Sequence, residues 1–233
     1  MNLSERLKRM INGFARRRGY HIERIVDYTD NQLDVFELLI DQINPKDPEF
    51  FFIQVGANDG RTGDPIRKHI QNFQWRGLLL EPLPNVFTIL TDNYKDHPQV
   101  ILENCALAQQ DGTLSIYTTP GSGQLATFDR AALERRVRDR SEIISISVRA
   151  ATFQTLLNQH QINRVDLLVV DTEGFDFEVI RMALQNGLPT PPRLIRYEHL
   201  HLSTADRNAC AELLTRHNYL LHREGVDTLA YRP

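Results

Sequence analysis

At 233 residues, 41% hydrophobic and 24% charged, the chain has the composition of one globular domain with a substantial core. Its formal net charge of -3 supplies no general attraction for nucleic acid or an anionic surface. No stretch approaches the roughly 18 apolar residues of a membrane span, no apolar signal-type run opens the sequence, and Cys105 and Cys210 lack metal-ligand or redox spacing, so a cytoplasmic location and two buried free thiols are expected.

In chain order, Leu3, Leu7, Met10, Ile11 and Phe14 recur at helical spacing opposite a basic face that includes Arg6, Lys8, Arg9, Arg16, Arg17 and Arg18. The pattern predicts a helix packing on the main domain or on a second copy, which makes a homo-oligomer through the N-terminal helices one expectation. Adhesion to an anionic membrane is the sharper alternative. A second helix is predicted over 31–43 (Leu33, Phe36, Leu39, Ile40, Ile43), ended by the turn chemistry of Asn44-Pro45 and Asp47-Pro48. Residues 1–48 are therefore read as a helical extension, and 49–233 as the main domain.

From Phe50 short apolar strands alternate with helices. Strands are predicted at 50–55, 77–80, 100–107, 165–170 and 194–197, with helices at 64–73, 84–95, 174–185 and 203–217. Two further β segments, 219–223 and 228–231, flank Gly225. Repeated βα units with continuous apolar strands predict an α/β, Rossmann-like fold: a mostly parallel seven-stranded sheet, helices on both faces and an antiparallel C-terminal edge. Asp111-Gly112 reads as a hairpin turn into 113–117, and 143–148 as a strand. Residues 119–145 between them read as an irregular insertion, a candidate lid or substrate loop. Its Arg130, Arg135, Arg136, Arg138 and Arg140 alternate with Glu134 and Asp139, so a solvated helix face accounts for them better than nucleic-acid binding.

Four blocks carry chemistry. Val55-Gly56-Ala57-Asn58-Asp59-Gly60 ends the first strand in a glycine turn, and ligands of open α/β sheets bind at such carboxyl ends. Its G-x-x-x-G spacing departs from the G-x-G-x-x-G of dinucleotide folds. Glu81-Pro82 ends the second strand, where a carboxylate is placed to accept hydrogen bonds from both hydroxyls of a ribose. Asp171-Thr172-Glu173-Gly174-Phe175-Asp176 follows the fourth strand: Asp171 is placed near a reacting centre, whereas Glu173 and Asp176 read equally well as helix-capping acids. Glu198-His199-Leu200-His201 follows the fifth strand and offers general bases. Zinc is disfavoured there because the histidines lack i,i+4 pairing and no cysteines support them.

These blocks resemble, in this order, the FkbM-type methyltransferases, a class I S-adenosylmethionine family. The likeness also takes in Asn104-Cys105-Ala106-Leu107, Asp111-Gly112 and Thr152-Phe153-Gln154-Thr155-Leu156-Leu157, and spans about 50–200. It implies that Gly56, Asn58, Asp59 and Gly60 surround the methionine part of S-adenosylmethionine. It places Glu81 and Pro82 at the ribose, Asn104 through Ala106 beside adenine, and Asp171 near the sulfonium. Gln54 departs from the wider class, where an acid is common at that position; it retains hydrogen-bonding capacity without charge. A small-molecule hydroxyl acceptor, on a sugar or natural product, is implied. His199 is the expected base, with Asp171 and Glu173 orienting acceptor or cofactor. No resident metal is expected; if one is bound, it is Mg²⁺ held by Asp171, Glu173 and Glu198. The rivals are a nicotinamide-dependent oxidoreductase, opposed by the missing G-x-G-x-x-G, and a non-catalytic nucleoside-binding or interaction module, opposed by the joint presence of Gly56, Glu81 and Asp171.

Overall fold

The computed structural model describes residues 34–119, 122–128, 130–137 and 139–233. The expected basic helix at the N-terminus, and any oligomer contact through it, lie outside these residues. The first described element is helix α1 (Val35–Gln42), capped by Asp34, whose carboxylate accepts from the Glu37 amide. The expected boundary near residue 49 falls inside one core. Val35, Phe36, Leu39 and Ile40 of α1 pack with Phe50, Phe52, Trp75, Leu79, Leu229 and Tyr231. Burying each of these apolar side chains contributes roughly 1.5–3 kcal/mol, which ties α1 to the domain.

The main sheet has seven strands in the order β10-β11-β9-β8-β1-β2-β3. The central strands are β1 (Phe51–Val55), β2 (Arg76–Leu80), β3 (Val100–Glu103), β8 (Leu167–Val170) and β9 (Leu194–Glu198). These five run parallel, with Val55 in register with Leu80 on one side and Val170 on the other. β11 (Asp227–Tyr231) is antiparallel to both β9 and the edge strand β10 (Leu220–Glu224). The strand period of two divides the core cleanly. Ile53, Val55, Leu168, Val170 and Ile195 face one helical layer, and Phe52, Leu79, Val169 and Leu194 face the other. The first layer holds α5 (Phe153–Gln159), α6 (Asp176–Met182) and α7 (Thr204–Arg216); the second holds α1, α2 (Arg67–Phe73) and α3 (Pro84–Tyr94).

Three expectations are corrected. The predicted strand 100–107 is two strands, because the chain breaks at Asn104-Cys105: β3 stays in the main sheet and β4 (Ala106–Leu107) enters a second, four-stranded sheet ordered β4-β7-β5-β6. Asp111-Gly112 is not a hairpin turn, because β7 (Ile144–Ala151) lies between β4 and β5 (Gly112–Thr119). Asp111 instead accepts hydrogen bonds from the Thr152 amide (2.8 Å) and the Thr155 hydroxyl (2.6 Å) at the start of α5. The insertion 119–145 is also structured, containing β6 (Ser122–Thr127), α4 (Arg130–Arg136) and a short 3-10 turn. On α4, Arg130 pairs with Glu134 at i,i+4 spacing (3.0 Å), as a solvated face would. No helix among the described residues is long and apolar enough to cross a membrane.

The second sheet is anchored by one buried carboxylate. Glu103, at the tip of β3, accepts from Arg149 of β7 (2.5 Å) and from Gln159 (2.6 Å), and meets His160 (2.7 Å).

Candidate active site

A cavity of about 290 Å³ opens at the carboxyl ends of the parallel strands. Gly56, Glu81 and Asp171, from the tips of β1, β2 and β8, all line it. The turn after β1 is drawn onto β2, since the Gly56 and Ala57 amides both donate to the Leu80 carbonyl (3.0 and 2.9 Å). Gly56 serves strand packing: at φ +83°, a Cβ there would lie 1.8 Å from the Asp171 carbonyl oxygen. Gly60 does not line the cavity; a Cβ on it would strike Leu90 and Tyr94 of α3 at 2.5 and 2.4 Å. Asn58 lines the cavity, whereas Asp59 closes the turn, accepting from the amides of Arg61 and Thr62 (2.8 and 2.7 Å).

Glu81 is 6% exposed. One carboxylate oxygen accepts from the Asn58 amide (3.0 Å) and the other from the Leu83 amide (2.9 Å). Burial outweighs these two hydrogen bonds and pushes its pKa up to about 7. Pro82 and Ala106 line the cavity too. Asn104 does not: its amide donates to the Glu81 and Pro82 carbonyls (2.8 and 3.1 Å), so it shapes the adjoining backbone. Gln54 also stays beneath the cavity, its Nε2 facing Asp64 at 3.4 Å and its Oε1 enclosed without a hydrogen-bond partner among the described residues.

The acidic side of the site comes from the β8 and β9 tips. Asp171 and Glu173 line the cavity. The Asp171 carboxyl is raised to about 6 by burial and then by the charges of Glu173 and Asp227, with Arg196 opposing. Asp176 is fully buried and folds the intervening turn, accepting from Thr172 and Gly174; burial, with Asp171 next, lifts it to about 7. Glu198 rises to about 8, through burial and then the charges of Asp171 and Glu173.

His199 does not join them. Its amide donates to the Val226 carbonyl (2.9 Å), its Nδ1 meets the Thr228 hydroxyl (3.0 Å), and its ring is absent from the cavity wall. Burial, then Arg223 and Arg207, lower its pKa. His201 is the histidine turned towards the acids, with Nε2 3.2 Å from Glu173 and 3.7 Å from Glu198. Among the described residues, Glu173, Glu198 and His201 form a group with metal-ligand spacing; Asp171, expected as a ligand, is not part of it. Cys105, at the break between the sheets, lines the cavity as a buried free thiol, raised by burial to about 12.

Sequence reasoning missed the opposite wall. Ile116, Ala126 and Thr127 reach the cavity from the second sheet, Phe128 from just after β6, Phe175 from the β8–α6 connection and Val179 from α6 itself. Phe128 and Phe175 meet edge to face, with ring centroids 4.9 Å apart. The available signal was an aromatic residue inside an otherwise polar insertion.

A seven-stranded sheet of this order, with its cavity at the carboxyl ends of β1, β2 and β8, defines a Rossmann-like methyltransferase of class I. Residues 54–223 match the methyltransferase FkbM domain, and the chain belongs to that family of S-adenosylmethionine-dependent methyltransferases. Among solved structures, it is similar to the FkbM methyltransferase of Methylobacillus flagellatus KT (13% identity, TM-score 0.48), covering 78% of this chain and 44% of that one. It is also similar to a METTL16 methyltransferase domain (12%, TM-score 0.48, 96% and 77% covered). A third similar structure is an RNA methyltransferase of Salinibacter ruber in complex with S-adenosylhomocysteine (12%, TM-score 0.43, 88% and 92% covered). No curated protein sequence matches the chain.

Proposed function

We propose that this methyltransferase binds S-adenosylmethionine in the cavity and transfers its methyl group to a hydroxyl of a small molecule, such as a sugar or natural product. One observation carries the reading: Gly56, Glu81 and Asp171 share one cavity, although they are far apart in sequence. Its volume, about 290 Å³, lies at the lower end of the roughly 300–1,000 Å³ range of ligand pockets and suits one nucleoside-sized ligand. The donor set fits as well. Glu81 keeps acceptor capacity on both oxygens after its two backbone contacts, as a ribose diol requires. Cys105, Ala106, Leu107 and Phe128 supply an apolar wall for a base.

When bound, S-adenosylmethionine supplies a methyl group on a sulfonium, open to in-line displacement. The chain's contribution is to hold, orient and deprotonate. Asn58 and the adjoining turn fix the amino-acid end, and Glu81 fixes the ribose. Asp171 is the cavity carboxylate that takes up the acceptor hydroxyl's proton, in place of His199. β6 and the Phe128 that follows it act as the lid that limits water access. Asp171 and Glu173 face the cavity, and among the described residues no lysine or arginine lines it to hold a phosphate, which favours an uncharged hydroxyl acceptor over nucleic acid.

Calorimetric titration with S-adenosylhomocysteine tests the cofactor site, and radiolabelled methyl transfer to a panel of polyhydroxylated small molecules, with an RNA arm, tests the acceptor. Binding with transfer to the small molecules supports the reading. Binding with transfer to RNA alone overturns the acceptor class, and no binding overturns the whole.

A further inference from the structure

We propose that Glu173, Glu198 and His201 form a divalent-metal site at the cavity rim, selective for a first-row transition ion such as Mn²⁺ or Zn²⁺. The proposal concerns the same site and rests on the methyltransferase reading only for its use in catalysis. The three side chains come from separate positions: the turn after β8, the last residue of β9, and the β9–α7 loop. Each offers one ligand atom, and the three atoms lie within 4.8 Å of one another. His201 Nε2 is 3.2 Å from Glu173 Oε2 and 3.7 Å from Glu198 Oε1. Two ligands about 2.1 Å from one metal, at octahedral to tetrahedral angles, stand roughly 3.0–3.4 Å apart, so the His201–Glu173 edge already has ligand spacing and the His201–Glu198 edge needs only a small inward shift.

One feature beyond the spacing points to a ligand. Glu198 Oε2, the partner of the oxygen that faces His201, is enclosed and has no hydrogen-bond partner among the described residues, a costly arrangement for a carboxylate unless the group binds a ligand. The nearest arginine along β9, Arg196, is committed elsewhere: it pairs with Asp227 at 2.7 Å and lies over the Phe36 ring at 4.7 Å. The loops are also held together where the site needs them. Gly174, at φ +109°, lets the turn after β8 approach the His201 backbone, where a Cβ would already lie 3.4 Å from its carbonyl oxygen. Asp176 fixes the same turn through Thr172 and Gly174.

The donor set decides the ion. Two carboxylates and one neutral imidazole give a borderline nitrogen–oxygen site, which favours transition ions over Mg²⁺, whose preference is for oxygen and water. This alters the expected ligands as well as the ion, with His201 taking the place of Asp171. Three protein ligands leave coordination positions open, and Glu173 lines the cavity, so an ion held there presents those positions to the acceptor. Asp171 then remains the proton-accepting carboxylate.

The test uses the full chain, stripped of metal by chelation and titrated with Mn²⁺, with the free-ion signal followed by electron paramagnetic resonance. One ion per chain is expected, and affinity should fall at least about tenfold in His201→Ala and in Glu198→Gln, while His217→Ala binds as the parent does. Zn²⁺ should displace the Mn²⁺, and millimolar Mg²⁺ should not. S-adenosylhomocysteine affinity should persist in His201→Ala, which separates failure of the metal site from failure of the cofactor site or of folding. Absence of Mn²⁺ binding to the parent, equal binding by the parent and His201→Ala, or ready displacement by Mg²⁺ would overturn the proposal.

Discussion

Replacing Glu81 with glutamine isolates the proposed ribose contact with little change of shape. The carboxylate accepts one backbone amide on each oxygen, from Asn58 and from Leu83. A glutamine must set its NH₂ against one of those donors and has one acceptor left to offer a diol. A hydrogen bond to a charged group contributes about 1.5–3 kcal/mol, so losing one weakens S-adenosylhomocysteine binding by roughly 10- to 150-fold. The pH dependence gives a second handle. With the Glu81 carboxyl raised to about 7, only about one molecule in eleven carries the carboxylate at pH 6. Hydroxyl donors favour the ionised form, so affinity should rise about tenfold from pH 6 to its alkaline plateau. In Glu81→Gln this component is absent. In the unliganded protein the sign is opposite: a carboxyl raised on folding contributes stability below its unfolded value near 4.5, and the contribution is lost as pH rises through about 7. Isothermal calorimetry at pH 6, 7 and 8 on both proteins, with urea melts as folding controls, measures all of this. A parent affinity that is flat with pH, or a glutamine variant that binds like the parent, would refute the ribose assignment.

Gly56→Ala should destabilise the fold by more than about 2 kcal/mol in urea melts, because its Cβ would collide with the Asp171 carbonyl oxygen at a positive φ. Gly63→Ala, also at positive φ (+69°) but with open space around its Cβ, should cost only about 1–2 kcal/mol. Asp171→Asn should lower kcat by roughly 10²-fold or more with S-adenosylhomocysteine affinity retained, while His199→Ala keeps near-parental turnover; the reverse pattern in steady-state kinetics would restore His199 as the base. Both thiols are buried, so a disulfide-exchange reagent should react with neither quickly in the native protein and with both after denaturation.

The parallel core was legible because its strands are buried on both faces and read as unbroken apolar runs, as in Leu167 to Val170. Their tips were legible too: Gly56, Glu81 and Asp171 stand where apolar runs stop. The small sheet was obscured for a physical reason. β5 and β7 read as strands at 113–117 and 143–148, but β4 is only two residues long and β6 lies in the polar stretch that reads as irregular. Strand pairing that places β7 between β4 and β5 leaves no local trace at Asp111-Gly112. His199 and His201 could not be separated by residue type. Strand alternation sends neighbouring side chains to opposite sides, but both histidines lie beyond the end of β9, where that alternation ceases to guide. The packing role of Gly60 was not legible because a turn glycine serves packing as readily as ligand access, and only the positions of Leu90 and Tyr94 on α3 show the first.

The chain leaves the main sheet at Asn104-Cys105 and rejoins it through α5, with Glu103, Arg149 and His160 clasping the two crossings together. Everything between them therefore behaves as a cassette mounted on an unaltered chassis. Exchanging β5, which bears Ile116, would reshape that wall of the cavity, while Asn58 and Glu81 beyond the tips of β1 and β2 stay as they are. The break at Asn104-Cys105 and the entry to α5 are the two joints at which such an exchange would be made.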